Sequence, residues 1–377
     1  MKKVVILYST SGFGHLNSAK AIMQAFDRRG ADVDIRFINI LDHGNKFFEF
    51  LHFKFYVTLM KYAKWLWGFF YYLSDLPVFD ILVRALRHIS DHKSWKGLEE
   101  LLKKEKPDAV IATHFFLTSV ARAIKSNKEL SSRLYLMVSG YGTHNIWASK
   151  HIDHFFTGIK EVSDGLIRRG IDASRITVTG MPVPEDFMRS YDNNSLKEKY
   201  GLDGSKKTIF MLSGAFGAAP METILKELNN CRADIQVITV CGHNEAAFRN
   251  IDKMRDSLCF SVKLFGFTDK IAELMSVSDL MISKAGTMSV AQALNMFLPM
   301  IIFSYIPGHE TPTVRLLQEK GAAKVAFSVK DIPGLVDRAL LSDDDYKKMI
   351  DGIERIRCPR AADDIIDVIL KELGVRC

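Results

Sequence analysis

The chain has 377 residues, of which 47% are hydrophobic and 25% charged, and its formal net charge is +7. This composition excludes a disordered chain and allows two or three domains with substantial cores. The positive charge is compatible with a membrane surface, a nucleic acid or a nucleotide, and does not choose among them. The five cysteines show no CxxC spacing and the chain opens on KKVVILYS, so we expect a reduced, cytosolic protein without a secretion signal or a metal site.

The first forty residues are typical of the start of a Rossmann-like domain. A buried strand is predicted at residues 4–8, a loop at 9–15 leads into an amphipathic helix, and a second strand follows at 35–40. The loop lacks the third glycine of the dinucleotide fingerprint, and the chain contains no Walker GK[ST] sequence. His15 is predicted in the first turn of the helix, where it would face a crevice at the strand ends. A simple polar cap is the alternative reading of this histidine.

Aromatic residues and lysines alternate between residues 46 and 96. The lysines at the centre of this insert are Lys54, Lys61 and Lys64, and its first tryptophans are Trp65 and Trp67. The longest uncharged run, 65–74, is too short to span a bilayer, which needs about 20 helical residues. Rings beside lysines favour contact with an anionic membrane surface. The alternative is that these rings form the core of an inserted pair of helices.

Further strands are predicted at 109–113, 134–139, 155–158 and 176–179, and the loop GYGTHNIW follows the second of them. Prolines and the polar stretch 190–194 then mark a domain boundary, which gives an N-terminal domain of residues 1–181.

The second half repeats this organisation, with strands predicted at 208–212, 235–241, 262–265, 280–283 and 300–305. A glycine-rich loop follows the first of these strands. We predict a C-terminal domain of residues 195–358 and a helix within 359–377 that could pack across the domains. The predicted fold class is therefore α/β, with two Rossmann-like domains whose parallel sheets face a cleft.

Six segments, in order, carry a resemblance to a known family: SGFGHLNSA, TGMPV, SGAFGA, VCGHN, GFTD and KAGTMSVAQALNMFLPMIIFSYIPGHE. They resemble the monogalactosyldiacylglycerol synthase and processive diacylglycerol glucosyltransferase family, relatives of the MurG-type glycosyltransferases. The resemblance runs from residue 4 to about residue 323. It implies a GT-B fold, inverting transfer of a sugar from a UDP-sugar to a membrane lipid such as diacylglycerol, and peripheral attachment to the cytoplasmic face of a membrane. It implies no cofactor and no metal.

The resemblance also implies site residues. His15 would take the proton of the acceptor hydroxyl. The residues matching the family's donor site are Gly214, Gly217, Gly266, Phe267, Lys284, Gly286, Thr287, Gln292, His309 and Glu310. Those expected to contact the acceptor or the membrane are Gly14, Lys54, Lys61, Lys64, Trp65, Trp67, His144 and Trp147.

The chain departs from the family pattern at several positions. Gly140 stands in place of an aspartate, Gln292 in place of a carboxylate that accepts ribose hydroxyls, His309 in place of a glutamine, and Thr313 in place of an asparagine. A catalytically impaired, membrane-associated nucleotide-binding protein of the same fold is therefore one alternative, and a GT-B nucleotide-sugar epimerase is another. The lysine-rich aromatic insert argues against an epimerase, and basic residues clustered with apolar rings argue against a nucleic-acid partner.

Overall fold

A computed structural model describes residues 1–10, 12–43, 63–76, 96–127, 130–212 and 220–375. The chain divides into two compact units. Unit 1 comprises Met1–Pro184, Ile306–Glu310 and Cys358–Cys377, and unit 2 comprises Glu185–Tyr305 and Thr311–Arg357. Lys54, Lys61, Gly214 and Gly217 lie outside the described residues, and so does the side chain of Lys64.

Unit 1 contains a six-stranded, all-parallel sheet in the order β2-β1-β3-β4-β5-β6. Its strands are β1 (Lys2–Tyr8), β2 (Val33–Asn39), β3 (Ala109–Ala112), β4 (Arg133–Val138), β5 (His154–Thr157) and β6 (Ile176–Val178). Every residue of β3 and β5 is buried, as expected for parallel strands with both faces covered. The continuous apolar runs that predicted these strands reflect this burial.

Unit 2 contains a second six-stranded parallel sheet, in the order β12-β11-β10-β7-β8-β9. Its strands are β7 (Lys207–Leu212), β8 (Ile235–Val240), β9 (Val262–Phe265), β10 (Leu280–Lys284), β11 (Met300–Ser304) and β12 (Ala323–Val325). The strand order reverses between β7 and β10, as in doubly wound nucleotide-binding folds. The predicted α/β fold class is confirmed.

Fourteen α-helices are described within the residues given above. They are α1 (Phe13–Arg29), α2 (Lys64–Asp75), α3 (Lys96–Glu105), α4 (Phe116–Ser126), α5 (Lys160–Arg168), α6 (Asn193–Lys199), α7 (Met221–Leu228), α8 (Glu245–Met254), α9 (Ile271–Ser276), α10 (Thr287–Asn295), α11 (Thr311–Lys320), α12 (Ile332–Leu341), α13 (Asp343–Glu354) and α14 (Ala361–Leu373). Within this part of the chain, none is long and apolar enough to cross a bilayer.

The C-terminal helix α14 belongs to unit 1 and packs against α1. Arg28 Nη2 lies 2.7 Å from Asp363 Oδ1, and the Tyr135 hydroxyl donates to Glu372 Oε2 at 2.9 Å. Apolar residues of α14, among them Ile366 and Ile369, are buried. The chain end therefore completes the N-terminal unit.

Candidate active site

The strand order of unit 1 reverses between β1 and β3, and ligands of open α/β sheets bind outside the carboxyl ends of strands at such a point. The chain leaves β1 at Tyr8 and enters α1 at Phe13, which places His15 in the first turn of that helix. It leaves β3 at Ala112 and continues directly into Thr113 and His114. Two histidines therefore lie at the topological switch point of this sheet.

His15 is fixed by a pair of hydrogen bonds to Thr113. Its Nδ1 lies 2.6 Å from the carbonyl oxygen of Thr113, and the Thr113 hydroxyl donates to the carbonyl oxygen of His15 at 2.9 Å. A carbonyl oxygen can only accept, so the proton of the neutral imidazole sits on Nδ1. The lone pair on Nε2 is then available to accept a proton.

The surroundings keep this imidazole neutral. Burial lowers the pKa of His15 to about 4, the hydrogen bond to the carbonyl of Thr113 opposes that shift, and the nearby His309 adds to it. The residue itself is half-buried, so part of its surface stays accessible. At neutral pH, His15 is therefore an uncharged base.

Ser139 completes the support of His15. Its hydroxyl donates to the carbonyl oxygen of Thr113 at 2.5 Å, so that one oxygen accepts from both side chains. The neighbouring Gly140, found where the family has an aspartate, donates its N–H to the carbonyl of Val138 at 2.9 Å. A backbone carbonyl thus orients the base in the way that a carboxylate does in other sites.

His114 is a further residue at this point and was not predicted from the sequence. Its ring meets that of His15 edge to face, with centroids 4.3 Å apart, and the residue is 6% exposed. Its Nδ1 accepts from the N–H of Phe116 at 3.3 Å, so its own proton lies on Nε2. The available signal was a histidine two residues beyond the buried strand β3, at the edge where ligands bind.

Helix α2 is the described part of the aromatic insert, and one of its faces is exposed. The exposed fractions are 72% for Trp65, 58% for Phe69, 55% for Tyr72 and 50% for Leu76, which follow one another at helical spacing. Trp67 is half-buried, with its ring centroid 6.4 Å from that of Tyr71. The rings of Trp65, Phe69 and Tyr72 thus form an exposed outer face of α2, Phe70 is also 50% exposed, and Trp67 and Tyr71 are half-buried.

The loop after β4 holds α2 in place. Asp75 accepts from Arg169 Nη2 at 2.6 Å and from the N–H of Asn145 at 2.7 Å. His144 accepts at Nδ1 from Ile146, and its Nε2 lies 3.0 Å from the carbonyl oxygen of Tyr71. These contacts tie the carboxyl end of the helix to unit 1.

Two of the residues expected at the acceptor or the membrane are buried. Trp147 is 7% exposed and lies in the core of unit 1, where its ring meets that of Phe115 at 5.9 Å. His144 is 6% exposed and its ring nitrogens are engaged with α2 and its own turn. Their expected contact with the acceptor or the membrane stays a prediction. Gly14 lies in the first turn of α1 beside His15, as its sequence position requires.

The segment Ile306–Glu310 is closed by its own glutamate. Glu310 Oε2 accepts from the N–H of Ile306 at 2.7 Å, and the Glu310 N–H donates to the Ile306 carbonyl at 2.9 Å. Glu310 is buried, with 4% of its surface exposed. Its hydrogen bond with the N–H of Ile306 closes the turn. His309, at its tip, lies within electrostatic reach of His15.

In unit 2, the switch point lies at the end of β10. The pairing of β10 with β11 shifts register between Ser283 and Lys284, and such a bulge re-aims the side chain that follows. Helix α10 begins at Thr287 after Gly286, which has no side chain to cap the first-turn N–H groups. First-turn N–H groups without a side-chain cap, next to a lysine, suit an anion. Gln292 lies one turn further on and is 5% exposed.

A cavity of about 460 Å³ lies in unit 2 at the carboxyl ends of β8 and β9. Its wall includes Gly266 and Phe267, together with His243 and Arg249. The rings of Phe267 and His243 stack at 4.4 Å with an interplanar angle of 15°, and Phe267 is 60% exposed. A flat, exposed aromatic surface beside a cavity can stack on a planar ring. Within the described residues, no cluster of three or more metal-binding side chains occurs.

Two family models match the chain. The model for monogalactosyldiacylglycerol (MGDG) synthase matches residues 15–183, and the glycosyltransferase family 28 C-terminal domain matches residues 208–342. A processive diacylglycerol beta-glucosyltransferase of Bacillus cereus (strain G9842) is 27% identical over 98% of this chain and 94% of its own length.

Solved structures share the fold. MurG of Acinetobacter baumannii matches with a TM-score of 0.63 at 14% identity, covering 98% of this chain and 100% of its own. A UDP-GlcNAc 2-epimerase of Neisseria meningitidis, bound to UDP-GlcNAc, matches with the same TM-score, identity and coverage.

Two parallel Rossmann-like sheets and matches to glycosyltransferase models over both units define the class: the protein is a GT-B glycosyltransferase that transfers a hexose. Within that class, residues 15–183 match the monogalactosyldiacylglycerol synthase model and the chain is similar to a processive diacylglycerol glucosyltransferase, in agreement with the resemblance that the sequence motifs carry.

Proposed function

We propose that the protein transfers a hexose from a UDP-sugar to the hydroxyl of a diacylglycerol-type lipid at a membrane surface, with inversion at the anomeric carbon. The observation that carries this proposal is the neutral His15, held by Thr113 with its Nε2 lone pair available at the switch point of unit 1. The name of the Bacillus cereus relative supports a diacylglycerol acceptor, and the nucleotide sugar of the Neisseria structure supports a UDP-linked donor.

In the proposed reaction, Nε2 of His15 takes the proton of the lipid hydroxyl as its oxygen forms a bond to the anomeric carbon. The bond from that carbon to the diphosphate oxygen breaks, and UDP leaves with the electron pair. Attack from the side opposite the leaving group inverts the configuration. The N–H groups opening α10 and the ammonium of Lys284 favour the charge that develops on UDP. The cavity beside Phe267 would hold the uracil.

Incubation with UDP-glucose or UDP-galactose and diacylglycerol vesicles tests the proposal. We expect a lipid product heavier by one hexose, with β configuration from an α-linked donor, identified by mass and by NMR of the anomeric proton. Absence of product with either donor would contradict the proposal. Conversion of UDP-GlcNAc in the absence of lipid would instead favour the epimerase alternative, which rests on the fold shared with the Neisseria enzyme.

The outer face of α2 supports the membrane part of the proposal. Phe69 is exposed on that face, and burying such a ring in a lipid boundary contributes roughly 1.5–3 kcal/mol. We expect Phe69→Ser to weaken binding to anionic vesicles by roughly 10-fold or more in a sedimentation assay. The matched control is Phe327→Ser, because Phe327 is 91% exposed but belongs to unit 2. Equal weakening by both variants, or by neither, would count against α2 as the contact.

A further inference from the structure

Helix α2 makes a second contact through residues that are buried or half-buried. Gly68 and Tyr71 both lie against the segment Ile306–Glu310. The segment and the helix belong to the same compact unit. The contact therefore joins the aromatic insert to the turn that bears His309.

Gly68 is buried and lies against Pro307. A Cβ at position 68 would sit 2.9 Å from the Cβ of Pro307, which is closer than two carbon atoms can approach without a displacement. Glycine in the interior of a helix weakens that helix relative to alanine. The close approach of Pro307 explains why the helix carries a glycine here, since any side chain would push the turn away.

Tyr71 makes the second half of the contact. Its ring lies beside Gly308, whose φ of +82° and lack of side chain allow the approach: a Cβ there would lie 2.5 Å from Tyr71 Cδ1. The ring also meets that of His309 edge to face, with centroids 6.3 Å apart. Tyr71 thus fixes both the backbone and the side chain of the turn.

The helix is itself a rigid support. Asp75 and the carbonyl of Tyr71 are held by Arg169, Asn145 and His144, as described above. These contacts extend through Tyr71 to His309, and the charge of His309 lowers the pKa of His15. Helix α2 and the Pro307–His309 turn are therefore in direct contact within unit 1, and His309 lies within electrostatic reach of His15.

We propose that Gly68 and Tyr71 are positioning residues: by packing on the Pro307–His309 turn, they make α2 set the placement of His309. This inference rests on the proposed function, in which the outer face of the same helix meets the lipid surface. The helix that docks on the acceptor-bearing membrane would then also shape the site that uses the acceptor.

The kinetic test uses Gly68→Ala and, as its matched control, Gly334→Ala. Gly334 also lies inside a helix, α12, and a Cβ there would meet nothing within 4 Å. A displacement of the order of 1 Å near reacting groups can cost roughly 100-fold in rate, so we expect Gly68→Ala to lower kcat about 10- to 100-fold while KM for the UDP-sugar stays within about threefold. Gly334→Ala should leave both constants unchanged. Wild-type kcat in Gly68→Ala would overturn the inference.

Two variants of Tyr71 test the same inference in case Gly68→Ala does not fold. Tyr71→Phe preserves the ring that packs on Gly308 and His309, and we expect it to retain wild-type kcat. Tyr71→Ala removes the ring and should lose kcat to the extent given for Gly68→Ala. Equal losses in both Tyr71 variants would overturn the ring-packing argument, as would equal retention.

A second readout separates this inference from the proposed function. Histidine ring resonances, recorded by NMR without any substrate, should shift for His309 in Gly68→Ala and Tyr71→Ala, and stay unchanged in Gly334→Ala and Tyr71→Phe. These shifts are measurable even if the wild-type protein makes no glycolipid. Unshifted His309 resonances in all four variants would overturn the inference, whereas a missing lipid product alone overturns only the proposed function.

Discussion

The carboxyl edges of the two sheets carry different chemistry. At the edge of unit 1, the groups are titratable rings fixed by backbone carbonyls, as His15 is by Thr113. At the edge of unit 2, they are helix N–H groups, a lysine and the stacked rings beside a cavity. In the proposed function, the same strand-to-helix geometry serves proton transfer in one unit and recognition of an anion and a planar ring in the other.

The largest effect on kcat is expected from a substitution in unit 1. His15→Ala removes the base, and general base catalysis contributes roughly 10²- to 10⁴-fold, so we expect kcat to fall by that factor. UDP binding, measured by calorimetry, should stay within about twofold, because the anion and ring contacts lie in unit 2. His151→Ala, in the same unit, is the control. A similar loss of UDP affinity in His15→Ala would contradict the separation of roles.

The reciprocal change is Lys284→Ala. A hydrogen bond to a charged group contributes about 1.5–3 kcal/mol, so UDP binding should weaken by roughly 10- to 100-fold. In the proposed reaction the ammonium also stabilises the leaving group, so kcat should fall as well, but less than in His15→Ala. Lys226→Ala, an exposed lysine of α7, should leave affinity unchanged. Unaltered affinity in Lys284→Ala would remove this residue from the donor site.

A smaller effect is expected from Ser139→Ala. Removing one neutral hydrogen bond costs about 0.5–1.5 kcal/mol, and here it frees the Thr113 carbonyl that orients His15. We expect kcat to fall by roughly 2- to 10-fold at unchanged UDP affinity. Ser132→Ala is matched, because Ser132 is also buried and donates to a backbone carbonyl, that of Pro107, at 2.6 Å. Equal effects on kcat would mean that both serines act through stability alone.

The pH dependence follows from the lowered pKa of His15. Its pKa is about 4 in the folded protein and near 6.5 in the unfolded chain, so the neutral base persists from neutral pH down to about pH 5. The acid limb of kcat should lie near pH 4. Because the unfolded chain binds this proton first, the stability that His15 contributes is complete above pH 6.5 and declines as pH falls toward 4. A kcat that halves near pH 6.5 would contradict the burial argument.

Much of the fold was predictable, because strands covered on both faces leave continuous apolar runs. Strand β12, with three residues of which only Ala323 is buried, leaves no such run, and the helices α12 and α13 were not predicted. Helix α14 was predicted, but its packing against α1 was not. The ion pair of Arg28 with Asp363 joins residues that are far apart in the chain. A local sequence pattern predicts which residues are buried, but not which helix or strand they pack against.

The site shows the same limit. The position of His15 at a strand end follows from its sequence context, whereas its tautomer depends on the carbonyl of Thr113, 98 residues away. Trp65 and Trp147 both have aromatic neighbours in the sequence, yet one is 72% exposed and the other 7%. The local amino-acid composition does not distinguish the two tryptophans. Their difference in exposure becomes visible only in the packing of Trp147 against Phe115.

The central claim is that His15 is a neutral base whose proton lies on Nδ1 and whose Nε2 is available for the acceptor hydroxyl. Long-range ¹H–¹⁵N NMR of the histidine rings, followed as a function of pH and assigned with His15→Ala, measures this directly. The account predicts the Nδ1–H tautomer for His15 at pH 7 and titration near pH 4. An Nε2–H tautomer, or titration near pH 6.5, would contradict it.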